Sequence, residues 1–303
     1  MLARHRITRY VEPLREGGSL PGLVEADDDG LYVVKLRGAG QGIRALVAEL
    51  VVGELARAIG LRVPELVFLE LGDPIGRAEP DPEIQELLLA SVGENVGLDF
   101  LPASLPFAVF AGHEIPLEEA AAVVWLDLVT TNVDRTPRNS NLLWWHGQLW
   151  LIDHGAALYR HHAATVGAGE ADRPFPQIVD HILMPLLGDD PAARLEPLRA
   201  AHARLAPLVT PEVLAAIVAN VPDDWRGEHD YAGYLAERIA VVGRWLEAID
   251  GIDQTSSATS GPGTGGLPRG PEAGKGLGPR VGAPPKALGT DGAPPKADGE
   301  APA

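Results

Sequence analysis

Two polar segments held apart by an apolar hairpin constrain this chain more than any other feature. The first, Asn132 to Asn141, follows directly on Leu117–Val129, an apolar run that predicts a buried helix. It carries Asp134, Asn139, Asn141 and Pro137, so it reads as a loop. Leu142-Leu-Trp-Trp, then His146-Gly, then Gln148-Leu-Trp-Leu-Ile read as two strands and a tight turn. The second polar segment, Asp153-His-Gly, sits where the returning strand ends. A hairpin brings its open ends together, so Asn141 and Asp153 are expected to meet. Trp144, Trp145 and Trp150 are expected in the core under the hairpin.

The first third reads as strands, a helix and strands. Asp27-Asp-Asp-Gly is a turn signal before the β-rich run Leu31-Tyr-Val-Val-Lys-Leu. Leu46, Leu50, Val51, Leu55 and Ile59 space like the buried side of a helix over Ile43–Ile59, closed by Gly60 and Pro64. Leu66-Val-Phe-Leu-Glu-Leu is another strand. After residue 117 the pattern turns helical, with stretches expected at about 176–187, 191–206, 210–219 and 230–249. The layout predicted is α+β, with a mixed N-terminal lobe over about 1–101 and a mainly helical C-terminal lobe over about 102–250. Residues 251–303 form a separate tail. From Gly261 onward it holds 12 Gly and 9 Pro in 43 residues and repeats Gly-Ala-Pro-Pro-Lys-Ala at 282 and 292. Such a composition buries too little apolar surface to offset ordering entropy, and disorder is expected.

Composition removes several function classes. There is no cysteine, hence no disulfide scaffold, thiolate metal site or cysteine nucleophile. The 25 basic against 42 acidic residues give a net charge of −17, which argues against binding a phosphate backbone. No apolar run reaches the roughly 18 residues that a membrane span needs. The basic N-terminus lacks the apolar core of a signal peptide, so a cytoplasmic location is expected. Arg160-His161-His162 reads as a solvated stretch rather than a metal site.

The paired polar loops carry the chemistry. Phosphoryl transfer from ATP calls for one carboxylate to orient the attacking hydroxyl and accept its proton. It also calls for an amide and a second carboxylate to offer hard oxygens to Mg2+. Asp134, the two asparagines and Asp153 supply these groups. Arg135 and Arg138 are candidates for holding a transferring phosphate or a substrate anion.

Asp134-Arg-Thr-Pro-Arg-Asn-Ser-Asn-Leu-Leu, followed by Ile152-Asp-His-Gly, resembles the catalytic and metal-binding loops of HipA-type kinases and, more loosely, those of phosphoinositide kinases. The resemblance extends over about residues 15–250. It implies a two-lobed, protein-kinase-like fold with Asp134 as catalytic base and Asp153 as a metal ligand; Arg138, on its charge and place in the loop, is the second catalytic candidate. For the second ligand, the apolar pair after Asn141 favours that residue, whereas the family's spacing of five selects Asn139. It further implies that Lys35 contacts the ATP phosphates and that Glu49, rather than Glu54, pairs with it. Gly17-Gly18-Ser19-Leu-Pro-Gly22 resembles a phosphate-covering loop, with Gly38–Gly42 a rival that leads into the helix. The activity implied is ATP- and Mg2+-dependent transfer to a hydroxyl, of a protein Ser or Thr or of a small-molecule or lipid alcohol. A nucleotide-binding module without catalysis is the competing class. A protein substrate is expected as partner, with no nucleic acid and no membrane span. No antitoxin-like partner can be named.

Overall fold

The computed structural model describes residues 1–14, 20–40, 42–109, 112–162 and 169–256. Five strands, β1 (Arg4–Pro13), β2 (Gly22–Ala26), β3 (Leu31–Lys35), β4 (Leu66–Leu71) and β5 (Gly93–Asp99), close into a barrel in the order β1-β2-β3-β5-β4. Closure comes from β1, which pairs antiparallel with β2 and parallel with β4, Arg4 lying opposite Phe68. This strand has little signature, since of its ten residues only Ile7 is fully buried and the others are largely charged or polar. Along β3 the side chains alternate, as any strand must. Tyr32 and Val34 fill the barrel with Val24, Val67 and Leu69. Lys35 therefore leaves by the opposite face, in register with Val96 of β5.

Helix α1 (Ile43–Ala58) follows β3, as the spacing predicts, but it is buried on nearly every side rather than along one stripe. It is packed on β4 and β5 on one side and on helices of the C-terminal part on the other. Gly53 permits the approach, since a Cβ there would lie 2.7 Å from the Leu66 side chain. Two short helices, α2 (Asp73–Ala78) and α3 (Pro82–Ala90), fill the connection from β4 to β5.

The rest is mainly helical. Helix α4 (Leu117–Thr130) is buried from Ala120 onward and forms the centre of that part. A small sheet joins β6 (Leu105–Pro106), which precedes α4, to the hairpin of β7 (Leu142–Trp145) and β8 (Gln148–Leu151), which follows it. Helices α5 (Pro191–Leu205), α6 (Pro211–Val218), α7 (Asp223–Arg226) and α8 (Tyr231–Ser256) complete it. Asp190 and Thr210 start α5 and α6 by accepting the N–H groups of Ala193 and Val213, ordinary N-caps. One core runs from α1 through α4 and the hairpin into these helices. Among the described residues no single helix is long and apolar enough to cross a membrane.

Three sequence expectations are corrected. The continuous helix over 176–187 is instead two 3-10 turns, Pro176–Asp180 and Met184–Leu186. His181 leaves the helical path to bond Asp127, its own Nδ1 takes the Leu183 N–H, and Pro185 has no N–H to give. Of the hairpin tryptophans only Trp144 packs against the core, half-buried; Trp145 and Trp150 do not join it. The register pairs Leu142 with Leu151 and Trp144 with Leu149 on the inner face, leaving Trp145 and Trp150 to meet edge-to-face on the outer one. Helix α8 runs to Ser256, past the helical stretch expected at about 230–249. The remainder of the expected tail, 257–303, lies outside the described residues.

Candidate active site

The loop bearing Asp134 is anchored by its own side chains. Thr131 ends α4 in a left-handed conformation, and Asn132 then turns the chain. Its amide oxygen accepts the Asp134 N–H at 3.1 Å and its Nδ2 donates to Asp127 Oδ1 at 3.1 Å. Thr136 and Asn139 exchange backbone hydrogen bonds of 2.9 and 3.1 Å. Pro137 and Arg138 are thereby pushed outward as a turn. That turn brings both candidate asparagines to one carboxylate: Asn139 Nδ2 lies 2.8 Å and Asn141 Nδ2 3.1 Å from Asp134 Oδ2. Asn141 is buried, and its carbonyl accepts the Ile152 N–H at 3.1 Å, next to Asp153. Asn141 and Asp153 both hold positive φ, 48° and 53°. That region is uncommon for residues with a side chain and is frequent at functional sites.

Beneath the loop lies a buried ionic network. Asp127, on α4, has no exposed side-chain surface and receives Arg135 Nε at 2.6 Å and His181 Nε2 at 2.9 Å. Arg135 in turn donates from Nη1 to the carbonyl oxygens of Asn141 and Ile152. One guanidinium therefore ties α4 to both strands of the hairpin where Asn141 and Asp153 emerge. Burial alone would raise the Asp127 pKa; Arg135 and His181 outweigh it and hold the carboxyl well below its usual range. Burial also lowers the His181 pKa, so the ring is neutral, with Nε2–H donating to Asp127 and Nδ1 accepting from Leu183.

Above the loop, Lys35 Nζ lies 2.8 Å from Asp153 Oδ1. Burial would push the lysine pKa down, but Glu49, Asp153 and Asp134 together raise it. Burial would likewise raise Asp153, and Lys35 overcomes this and lowers it. Glu49 is buried and contributes charge near Lys35, yet its hydrogen bonds go elsewhere. Its Oε2 accepts the His154 backbone N–H at 2.9 Å and its Oε1 faces His154 Nδ1 at 3.4 Å.

The structure thus gathers Lys35, Glu49, Asp134, Asn139, Asn141 and Asp153. The direct Lys35–Glu49 pair expected from the sequence is replaced by Lys35–Asp153, because the loop backbone takes up the glutamate. Arg135 is not available to a phosphate, being fully buried, with Nε on Asp127 and Nη1 on two carbonyls. Arg138 is exposed on the outward turn and makes no bond to Asp134. Gly22 opens β2 rather than a loop, under the Tyr10 ring, which a Cβ would meet at 2.4 Å. Gly17, Gly18 and Ser19 lie outside the described residues. Sequence reasoning missed Asp127 and His181. Asp127 had a signal, a lone carboxylate in the apolar run 120–130; His181 had none. Among the described residues no cluster of His, Asp and Glu suits a metal ion of its own, and His161 packs instead on Tyr231 and Tyr234.

Comparison with known proteins bears on this arrangement. Among curated proteins no sequence matches. Among solved structures, the Helicobacter pylori proinflammatory kinase CtkA aligns with a TM-score of 0.52 at 14% identity, over 82% of this chain and 100% of CtkA. The Golgi casein kinase with Mn/ADP bound aligns with a TM-score of 0.48 at 15% identity, over 82% of this chain and 73% of that one. The likeness to CtkA establishes a kinase fold of helices and strands. The profile of the HipA-like kinases matches residues 7–171, a span that holds Lys35, Glu49, Asp134, both asparagines and Asp153. On that match, which takes in more than half of its length, the chain belongs to the HipA-like kinases and is a phosphotransferase.

Proposed function

We propose that this chain transfers the γ-phosphoryl group of ATP to a hydroxyl of a protein Ser or Thr, with Mg2+ as cofactor. The observation that carries the reading is the placement of two carboxylates in unlike surroundings. Asp153 is ion-paired to Lys35 at 2.8 Å, while Asp134 is held only by amide N–H groups. Asp134 is partly exposed and thus open to an acceptor.

The donor set suits a hard dication. With both amide nitrogens turned to Asp134, no protein donor among the described residues takes the side-chain oxygen of Asn139 or Asn141. Asp153 with Asn141, or with Asn139, would hold Mg2+, which favours carboxylate and amide oxygens. The bound ion would neutralise charge on the transferring phosphate. Lys35 would bind and orient the nucleotide phosphates. Glu49 fixes the His154 N–H and so the position of Asp153. Asp134 orients the acceptor hydroxyl. As the acceptor oxygen bonds to the γ-phosphorus, the bond to the ADP leaving oxygen breaks and the acceptor proton passes to Asp134.

The test is incubation of the full chain with γ-labelled ATP and Mg2+, with and without cell extract, beside an Asp153→Ala variant. Metal-dependent label on protein, lost in the variant, supports the reading. Label that accumulates only in lipid or small molecules moves the acceptor to another class. ATP binding with no transfer to protein, lipid or small molecule overturns the mechanism proposed for Asp134 and Asp153.

A further inference from the structure

Beside the proposed catalytic loop lies a cleft of about 610 Å3, within the range of about 300–1,000 Å3 usual for ligand sites. One wall is the outward turn Thr136–Arg138; the other is the segment from Val179 to Pro185, with Arg194 of α5 at the end. The walls are fixed to each other at their base, since the Ile182 N–H donates to the Arg135 carbonyl at 3.1 Å and His181 is bonded to Asp127. The cleft is therefore part of the support of the catalytic loop, four residues along from Asp134.

Its charge is unlike that of the chain. The protein carries −17, and most of its described arginines are tied to carboxylates. Arg138 and Arg194 are not: among the described residues neither has a carboxylate within ion-pair distance. The Arg194 Nε is placed by the Gly188 carbonyl at 2.9 Å, which leaves its Nη groups free of any side-chain acceptor. His181 is neutral here. Asp180 is the opposing charge on the wall, so the cleft carries a net positive charge. Val179, 66% exposed, with Met184 and Pro185, gives an apolar side to the same space.

Resting on the kinase reading of Asp134, we propose that this cleft is the acceptor-binding subsite and that it selects an acidic peptide segment. A Glu or Asp flanking the acceptor hydroxyl would pair with Arg138 and Arg194 while neighbouring aliphatic atoms lie on Val179 and Met184. Guanidinium groups suit this, because their planar donors match a carboxylate. The unpaired pair gives an acidic protein one place beside its catalytic loop where an anion is attracted rather than repelled.

The test uses the full chain and two fluorescent peptides, one with a central Ser flanked by Glu and one with Gln in place of each Glu. Binding is read by anisotropy without nucleotide, and phosphoryl transfer is read in parallel. The Glu peptide should bind roughly tenfold tighter or better, the size of one charge-assisted contact. Arg194→Gln should bring the ratio towards one, Arg194→Lys should keep part of it, and Asp180→Asn should increase it. Arg194→Lys retains the charge if loss of the Gly188 bond disturbs α5. Equal binding of the two peptides, or a preference that survives in Arg138→Gln/Arg194→Gln, overturns the proposal. A preference lost in Arg194→Gln with no transfer to either peptide keeps the anion-binding cleft and overturns its role as an acceptor subsite beside Asp134. Equal binding with transfer to both keeps the kinase and overturns the subsite.

Discussion

The Lys35 ammonium lies 2.8 Å from the Asp153 carboxylate, while Glu49 accepts the backbone N–H of His154, the next residue along. The helix that carries Glu49 is thereby coupled to the metal-ligand candidate by two routes. One is the shared lysine charge, and the other is a backbone hydrogen bond that sets where Asp153 stands. The two can be separated by mutation, because only the first needs a negative charge.

Glu49→Gln keeps an oxygen for the His154 N–H and removes the charge. Its melting temperature should stay within a few degrees of wild type, while kcat falls by roughly tenfold because Lys35 loses one carboxylate neighbour. Glu49→Ala orphans a buried N–H as well and should cost about 1–3 kcal/mol of stability. Urea denaturation and steady-state kinetics on both variants check this. Equal stability of the Ala and Gln variants would show that the hydrogen bond does not hold the loop.

The network under the loop should be less forgiving. Arg135 and Asp127 have no exposed side-chain surface, so Arg135→Met leaves a carboxylate buried without its main partner. Breaking one side of such a pair costs about 3–5 kcal/mol. Asp127→Asn/Arg135→Met removes both charges and should be more stable than Arg135→Met alone, while still losing activity because the Asn141 and Ile152 carbonyls are no longer gathered. A double variant no more stable than the single one would sink the account.

Local patterns in the sequence carried α1, α4, the hairpin and β3 nearly residue for residue. Each is a strong apolar run closed by Gly, Pro or polar loop residues. They also carried Lys35, Asp134 and Asp153, which sit at the ends of such runs. What stayed hidden depends on contacts between distant segments. The charged strand Arg4–Pro13 closes the barrel only because β4 lies beside it. The segment 176–187 is bent by a bond from His181 to a helix fifty-four residues earlier. The resemblance pairs Glu49 with Lys35, but the backbone of His154 competes for its oxygens, and no spacing rule shows a backbone donor arriving from 105 residues away.

Stability should fall on mild acidification because of His161. Its ring lies against His229, Tyr231 and Tyr234, at 5.4, 4.9 and 4.4 Å between centroids. Arg44 donates to the His161 and His162 carbonyls. Burial, with His229, His162 and Arg44 adding to it, pushes His161 from 6.5 down to about 4. Between those values the unfolded chain binds a proton that the folded chain refuses, so stability is lost as the pH drops below 6.5 and levels off near 4. From pH 7 to pH 5 this one group should remove about 2 kcal/mol. His161→Phe keeps the ring contacts and cannot titrate, so its urea midpoint should change less over that interval. The same pH dependence in wild type and variant would assign the effect to other groups.

The role proposed for Asp134 is to accept the proton of the acceptor hydroxyl. Its Oδ2 receives both Asn139 and Asn141, which fixes the carboxylate, and the residue is partly exposed. Asp134→Asn keeps the size and one oxygen for those donors, so the loop should hold its shape, yet an amide cannot take a proton from the acceptor. A positioned general base contributes about 10²–10⁴-fold to rate. The nucleotide is expected to be held by Lys35, Asp153 and the metal instead. Asp134→Asn should therefore keep Mg·ATP affinity within a few-fold by calorimetry while phosphoryl transfer falls by about two orders of magnitude or more. A loss in kcat with an unchanged nucleotide affinity assigns proton acceptance to this residue. Transfer at the wild-type rate would remove Asp134 from the mechanism. A parallel loss of nucleotide binding would show that its bonds to Asn139 and Asn141 organise the metal site rather than the acceptor.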